Sequence, residues 1–203
     1  MKFKKLIVLS AAAVLLFGLA IVKQNTGGPP SVTLDSPSER TSVGNKFEVS
    51  GAAHLDIYLG KGEGERVSLA KDASGHWTIT SRFGTRARKE GIENLLNHLA
   101  DIRGELRSDS PNLLVDYSIT DDKGFHLEVS DATGRKLAHR IVSPMRPRGT
   151  QNFAREAGSD RVIVTYTDVL SDINIFSDQD KLSDKTFEDL SPAPNTESSS
   201  KKS

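Results

Sequence analysis

The chain has 203 residues with 27 Lys+Arg against 27 Asp+Glu, but the first 23 residues carry four Lys and no acid, so the remaining 180 hold 23 basic against 27 acidic side chains, a net charge of −4. That balance disfavours a basic nucleic-acid-binding domain. With no cysteine, disulfide frameworks, thiolate zinc sites, thiol nucleophiles and a lipid-modified cysteine are excluded together.

After MKFKK comes LIVLSAAAVLLFGLAIV, residues 6–22, an uncharged apolar run of 17 residues ending at Lys23. As a helix rising about 1.5 Å per residue it is roughly 25 Å long, enough to cross a bilayer core with little tilt. Three Lys precede it and one follows, so the positive-inside bias places the N-terminus in the cytoplasm and Gln24 onward outside. A cleaved signal with its small-residue site at Gly18-Leu19-Ala20 is the competing reading. Ile21 and Val22 prolong the apolar run past that site and favour retention. Residues 1–23 are therefore expected to be a membrane anchor or signal, and the body extracytoplasmic, on the outer side of a bacterial inner membrane.

Residues 24–46 are dense in Gly, Pro, Ser and Thr and read as a flexible linker, with room for a short strand at Ser31 to Leu34. From 47 to 175 the hydrophobic period is mostly two, with turn residues at short intervals, which predicts antiparallel strands. HLDIYLG, RVSLA and GHWTITS (54–60, 66–70 and 75–81) form a meander, and Trp77 alternates with Ile79 to fill the core. RKEGIENLLNHLADIR (88–103) spaces Ile92, Leu95, Leu96, Leu99 and Ile102 three or four apart, a helix with one apolar face that covers a sheet. A turn or short helix at Asn112 to Tyr117 precedes strands at 125–130, 135–142, 151–156 and 161–166, and Asp168 to Ile175 is helical. The fold class is α+β, antiparallel sheet with one main covering helix, as a single sheet or two related strand-helix lobes. Residues 176–203, polar and Ser-rich toward the end, read as a mostly disordered tail.

In chain order, GHWTITS, the leucine-paired helix, LLVDYSI, FHLEVSD, DATGRKL and NFAREAGSDRVIVTYTDVLSDI resemble the domain of unknown function 4340 family over roughly residues 54–175. Tryptophan in the third strand, a leucine-paired helix and a tyrosine-glycine-leucine step recur in that family; Trp77, Leu95-Leu96 and Tyr117-Ser118-Ile119 occupy those places. The resemblance implies a membrane-tethered domain encoded beside ABC-type transport components of gliding-motility type, with no established catalytic residues. Ser118 stands where the family has glycine, and Val142-Ser143-Pro144 replaces a glycine-lysine step.

Five histidines, 54, 76, 98, 126 and 139, are the first candidates for metal or acid-base chemistry, and none has an i, i+4 histidine partner. A type I turn at Asp131 to Gly134 with Gly134 as a bulge pairs Asp131 with Arg135, hence Val129 with Leu137 and Leu127 with His139. That register places His126 across from Arg140 on the opposite face from His139, so no shared metal is expected. GKGEGE (60–65) reads as a hairpin loop rather than a phosphate cradle, since Glu63 and Glu65 would face the anion. Asp121 and Asp122 have turn composition, and Asp178, Asp180 and Asp184 lack calcium-loop spacing. Arg82, Arg86, Arg88 and Lys89, with Arg146 and Arg148, form two basic groups: charged surface, or a contact for anionic lipid, acidic polysaccharide or a partner. No catalytic, cofactor or metal residue is assigned. The expected function is a non-enzymatic membrane-anchored accessory or scaffolding protein of an ABC-type transport or envelope complex, partnered by the membrane through residues 6–22 and by an integral-membrane transporter or envelope protein; the alternative is a binding module for an envelope polymer or small solute.

Overall fold

The computed structural model describes residues 40–62, 65–176 and 180–191, all within one unit, Ser38–Ser203. The expected membrane helix at 6–22 and the strand at Ser31 to Leu34 lie outside the described residues. Among the described residues no helix is long and apolar enough to cross a membrane.

In chain order the elements are β1 (Arg40–Ser42), β2 (His54–Leu59), β3 (Arg66–Lys71), β4 (Trp77–Ile79), β5 (Thr85–Arg86), the helix α1 (Lys89–Ala100), β6 (Arg103–Ser108), β7 (Phe125–Ser130), β8 (Lys136–Val142), β9 (Phe153–Glu156) and β10 (Val162–Thr165). They form one ten-stranded sheet in the order β1-β6-β10-β9-β8-β7-β2-β3-β4-β5, and every pairing is antiparallel. The fold of the described residues is thus α+β, mostly antiparallel sheet with one α-helix.

Two four-stranded meanders, β2 to β5 and β7 to β10, lie side by side along the β2/β7 pair. Each is followed by a helical segment and then by a piece of chain that pairs with the far edge of the other meander. After β5, α1 leads to β6 beside β10; after β10, a 3-10 helix at Val169–Ile173 leads to Glu188, bridged to Ala87 at the end of β5. The strands thus make a single sheet rather than two lobes, with the chain that follows each helical segment crossing to the far edge of the other meander.

The period of two puts Leu55, Ile57, Val67, Leu69, Trp77, Ile79, Phe125, Leu127 and Val129 on one face, where they are buried against Ile92, Leu95, Leu96 and Leu99 of α1 and against Val169, Leu170 and Ile173. Each such side chain contributes about 1.5–3 kcal/mol on burial. The apolar stripe of α1 is that foreseen from the spacing, except that the helix stops at Ala100 and Ile102 reaches the core from the connection to β6. His98 in the last turn of α1 meets Asp172 Oδ2 at 2.6 Å, tying the helix to the second helical segment.

Four sequence expectations need correction. The expected linker does not run on to residue 46: Arg40–Ser42 is a strand and Val43 is buried. RGELRS, which has no hydrophobic alternation, is β6; its second residue, Gly104, lies so close to β10 that a Cβ would stand 1.9 Å from the Val164 carbonyl oxygen. Residues 180–191 do not hang free: Leu182 and Phe187 are buried in the main core, Arg88 N donates to the Phe187 carbonyl (2.8 Å), and Asp189 N donates to that of Arg86 (3.1 Å). The fourth correction, the register of β7 and β8, decides the candidate site.

Candidate functional site

The turn between β7 and β8 forms as its sequence predicts: Gly134 has φ +83, its N–H donates to the Asp131 carbonyl (3.0 Å), and Asp131 N donates to that of Arg135 (3.0 Å). A second irregularity follows at once. Ser130 pairs with Lys136 but Val129 pairs with Ala138, so Leu137 is a bulged, unpaired residue. One extra residue turns every later side chain of β8 over. His126 therefore stands opposite Ile141, not Arg140, and Glu128 stands opposite His139. The two histidines share the sheet face that α1 does not cover.

On that outer face the cross-strand pairs line up in two rows. One runs Arg66, Tyr58, His126, Ile141, Arg155 across β3, β2, β7, β8 and β9; the other runs Ser68, Asp56, Glu128, His139. The rows bond to each other diagonally. The Tyr58 hydroxyl donates to Glu128 Oε1, and Lys136 Nζ lies 2.8 Å from Glu128 Oε2. His126 Nδ1 is 2.8 Å from His139 Nε2, which also stands 3.5 Å from Glu128 Oε1. The Tyr58 and His126 rings stack, with centroids 4.8 Å apart and planes 9° from parallel, and the Arg66 guanidinium caps the other side of Tyr58 at 4.2 Å. Ser68 donates its hydroxyl to Asp56.

The protons in this cluster are fixed by chemistry. His126 Nε2 lies 2.9 Å from the Asp121 carbonyl oxygen, which can only accept, so Nε2 carries a hydrogen. In the neutral pair His126 Nδ1 then accepts, and His139 Nε2 donates to it. Burial pulls His139 down to about 4 against the opposing charge of Glu128, which holds it neutral near pH 7. Burial also pushes the Tyr58 phenol up to about 12, helped by its bond to Glu128. Burial works to raise Glu128, but the bonds from Lys136 and Tyr58 outweigh it and leave the carboxyl below its usual range.

The segment from Pro111 to Gly124 lies over the rest of this face. Ile119, with Leu114 and Tyr117, packs on Ile141, Phe153 and Val162. Arg155, 4% exposed, donates through Nε to the Ile119 carbonyl (2.7 Å) and through Nη2 to Asp121 Oδ1. Ser143 donates its hydroxyl to the Tyr117 carbonyl (2.7 Å). Ser118 has φ +50, the left-handed conformation that glycine adopts without a steric cost.

The remaining sequence candidates fall elsewhere. Arg82 meets Asp184 and Glu188 at 3.3 and 3.7 Å, Arg86 meets Asp189 at 3.4 Å, and Lys89 meets Glu93 at 3.6 Å. Arg88 is exposed just before α1. Arg146 grips Asp168 (Nε to Oδ2, 3.0 Å; Nη2 to Oδ1, 3.2 Å) and the Ile175 carbonyl, while Arg148 is exposed. Asp168 in turn caps the 3-10 helix by accepting from Leu170 N and Ser171 N. The two basic groups are thus at separate places, and Arg146 fastens a loop. Lys61 pairs with Asp122 at 3.1 Å beside a depression of about 730 Å³ whose lining includes Leu59, Phe125 and Leu182. Trp77 is a core residue as its alternation predicts. His54 lies on the outer face by its pairing with Ser130, and His76 sits 3.8 Å from Asp72 in a turn. Among the described residues no group of three or more His, Asp or Glu side chains is arranged to hold a metal ion. Leu137 carries no signal of a bulge in the sequence, so the outer-face cluster is not legible there; alternation on β2 and β7, which puts Tyr58, His126 and Glu128 on one side, is the part that is.

No protein-family model matches the chain, and no curated protein or solved structure matches it.

Proposed function

We propose that the chain is a non-enzymatic, membrane-anchored accessory or scaffolding protein whose body lies outside a bacterial inner membrane and supports an ABC-type transport or envelope complex. The observation that carries this reading is the use made of the outer-face polar groups. Tyr58, Glu128, Lys136, His126 and Arg155 spend their donors and acceptors on one another and on the Ile119 and Asp121 carbonyls, which builds a stiff surface rather than a reaction centre. The membrane part rests on the 17-residue apolar run behind a basic flank, and the transporter part on the resemblance to the domain of unknown function 4340 family.

A mild-detergent pull-down of the chain expressed from its own locus, read by mass spectrometry, tests the proposal. Integral-membrane transporter subunits are expected with it; recovery of the bait alone would overturn it. The alternative of a binding module is favoured by the depression beside Lys61 and Asp122, whose volume falls in the range of small-molecule pockets. Saturable binding of an envelope oligosaccharide, abolished by Phe125→Ala but retained in Phe153→Ala, would move the conclusion to that reading.

A further inference from the structure

The β4–β5 connection holds the most exposed large apolar side chain among the described residues. Phe83 is 104% exposed and has φ +55, a conformation that costs a bulky side chain energy. The tip is clamped, not loose. Gly84 N donates to the Ile79 carbonyl (3.0 Å), Thr85 Oγ1 to that of Arg82 (2.7 Å), and Thr80 Oγ1 to that of Ser68 (2.9 Å). A rigid turn that spends conformational energy to point a phenyl ring into solvent is a functional signal.

A second side chain joins it. The antiparallel bridge Ala87 to Glu188 and the bond from Asp189 N to Arg86 O run the last described segment back along β5 toward this tip, so Leu190, 85% exposed, follows at the same corner of the sheet. Around the corner, Arg82 and Arg86 are balanced by Asp184, Glu188 and Asp189. Arg88 and Lys89 stand exposed beside them at the start of α1.

We infer that this corner is a membrane-contact element: Phe83 and Leu190 enter the interfacial layer of a lipid bilayer while Arg88 and Lys89 meet its phosphates. The inference rests on the anchored reading above. A protruding apolar pair with paired ions at its base and exposed cations at its side, Arg88 and Lys89, the latter 3.6 Å from Glu93, has the composition of an interfacial binding element. The tether makes lipid the surface at highest effective concentration. Reach permits it: the 16 residues between Lys23 and Arg40 extend to about 55 Å, and the nine spacings from β1 to β5 amount to roughly 43 Å.

Because the chain has no cysteine, a single Leu190→Cys substitution can carry an environment-sensitive fluorophore in the full-length protein, reconstituted into phosphatidylcholine–phosphatidylglycerol vesicles doped with nitroxide lipid. The probe is expected to shift to the blue and to be quenched by the nitroxide, whereas the same probe at Ala132→Cys, in the turn at the other end of the sheet, is not. Adding Phe83→Ser to the labelled chain should relieve the quenching, and Arg88→Gln with Lys89→Gln should weaken it in anionic vesicles more than in neutral ones. Co-flotation of the chain with an unquenched probe at position 190 would overturn the contact while leaving the anchor intact. Failure to co-float would overturn both. A blue shift that needs an added membrane-protein extract, with no nitroxide quenching, would assign the corner to a protein and also overturn the inference.

Discussion

His126 Nδ1 and His139 Nε2 face each other at 2.8 Å across β7 and β8, and the Asp121 carbonyl behind His126 dictates which of them donates. The pair takes one extra proton without losing its N–H···N bond, since a charged and a neutral imidazole can still share a hydrogen. A second proton would set two N–H groups against each other.

The pH dependence follows with a definite sign. The folded value of His139, about 4, lies below its ordinary 6.5, so between those limits the unfolded chain binds more protons than the folded one. Stabilisation present above about 6.5 is lost as pH falls toward 4. Allowing for solvent screening of a partly exposed ring, we expect roughly 1 kcal/mol, or about 2–4 °C in Tm. Thermal melts of the wild type and His139→Gln from pH 7 to 4.5 check this; equal slopes in the two proteins would refute it.

The Tyr58 phenol should ionise late, with a midpoint near 12. Spectrophotometric titration below the unfolding limit should show a late component that disappears in Tyr58→Phe. The same substitution removes the donor to Glu128 and should cost about 1 kcal/mol of stability.

Gly104→Ala should be among the most damaging single-methyl additions in the chain, because its Cβ would meet the Val164 carbonyl at 1.9 Å and a side-chain methyl of Ile163 at 2.7 Å. Separation of β6 from β10 is the expected result, with a loss above about 3 kcal/mol in chemical denaturation. A wild-type midpoint would show that the strands sit farther apart.

Phe187→Ala should release the closing segment from β5. Truncating a buried phenylalanine costs about 3–5 kcal/mol, and the neighbouring Lys185, exposed but held between Ser183 and Glu188, should become the first tryptic site. Unchanged cleavage kinetics at Lys185 would mean that Arg82 and Arg86 hold the segment without the ring.

Much of this architecture was legible where burial has a period. The i, i+3, i+4 spacing of Ile92, Leu95, Leu96 and Leu99 located α1, and alternation located β2, β3 and β7 to β10. β6 was missed because its contact with β10 is made by the absence of a side chain at Gly104, which no hydrophobic pattern records. The segment around Phe187 looks like tail in the sequence because one aromatic among acids and serines has no period, yet it is the complement of Arg82 and Arg86, more than 90 residues away in sequence. The outer-face cluster depends on the Leu137 bulge: the turn at Asp131 to Gly134 is legible in its composition, but a single further residue reverses which histidines can meet.

The bridge between Ala87 and Glu188 also sets a timetable for biosynthesis. About 100 residues of chain separate the two positions, so at ribosomal rates of about 5–20 residues per second the edge of β5 stays bare for roughly 5–20 seconds after it emerges. During that interval an uncovered strand, a row of arginines and an open end of the core are offered to whatever is nearby, and a chaperone or translocon partner that shields nascent sheet would have its work concentrated there.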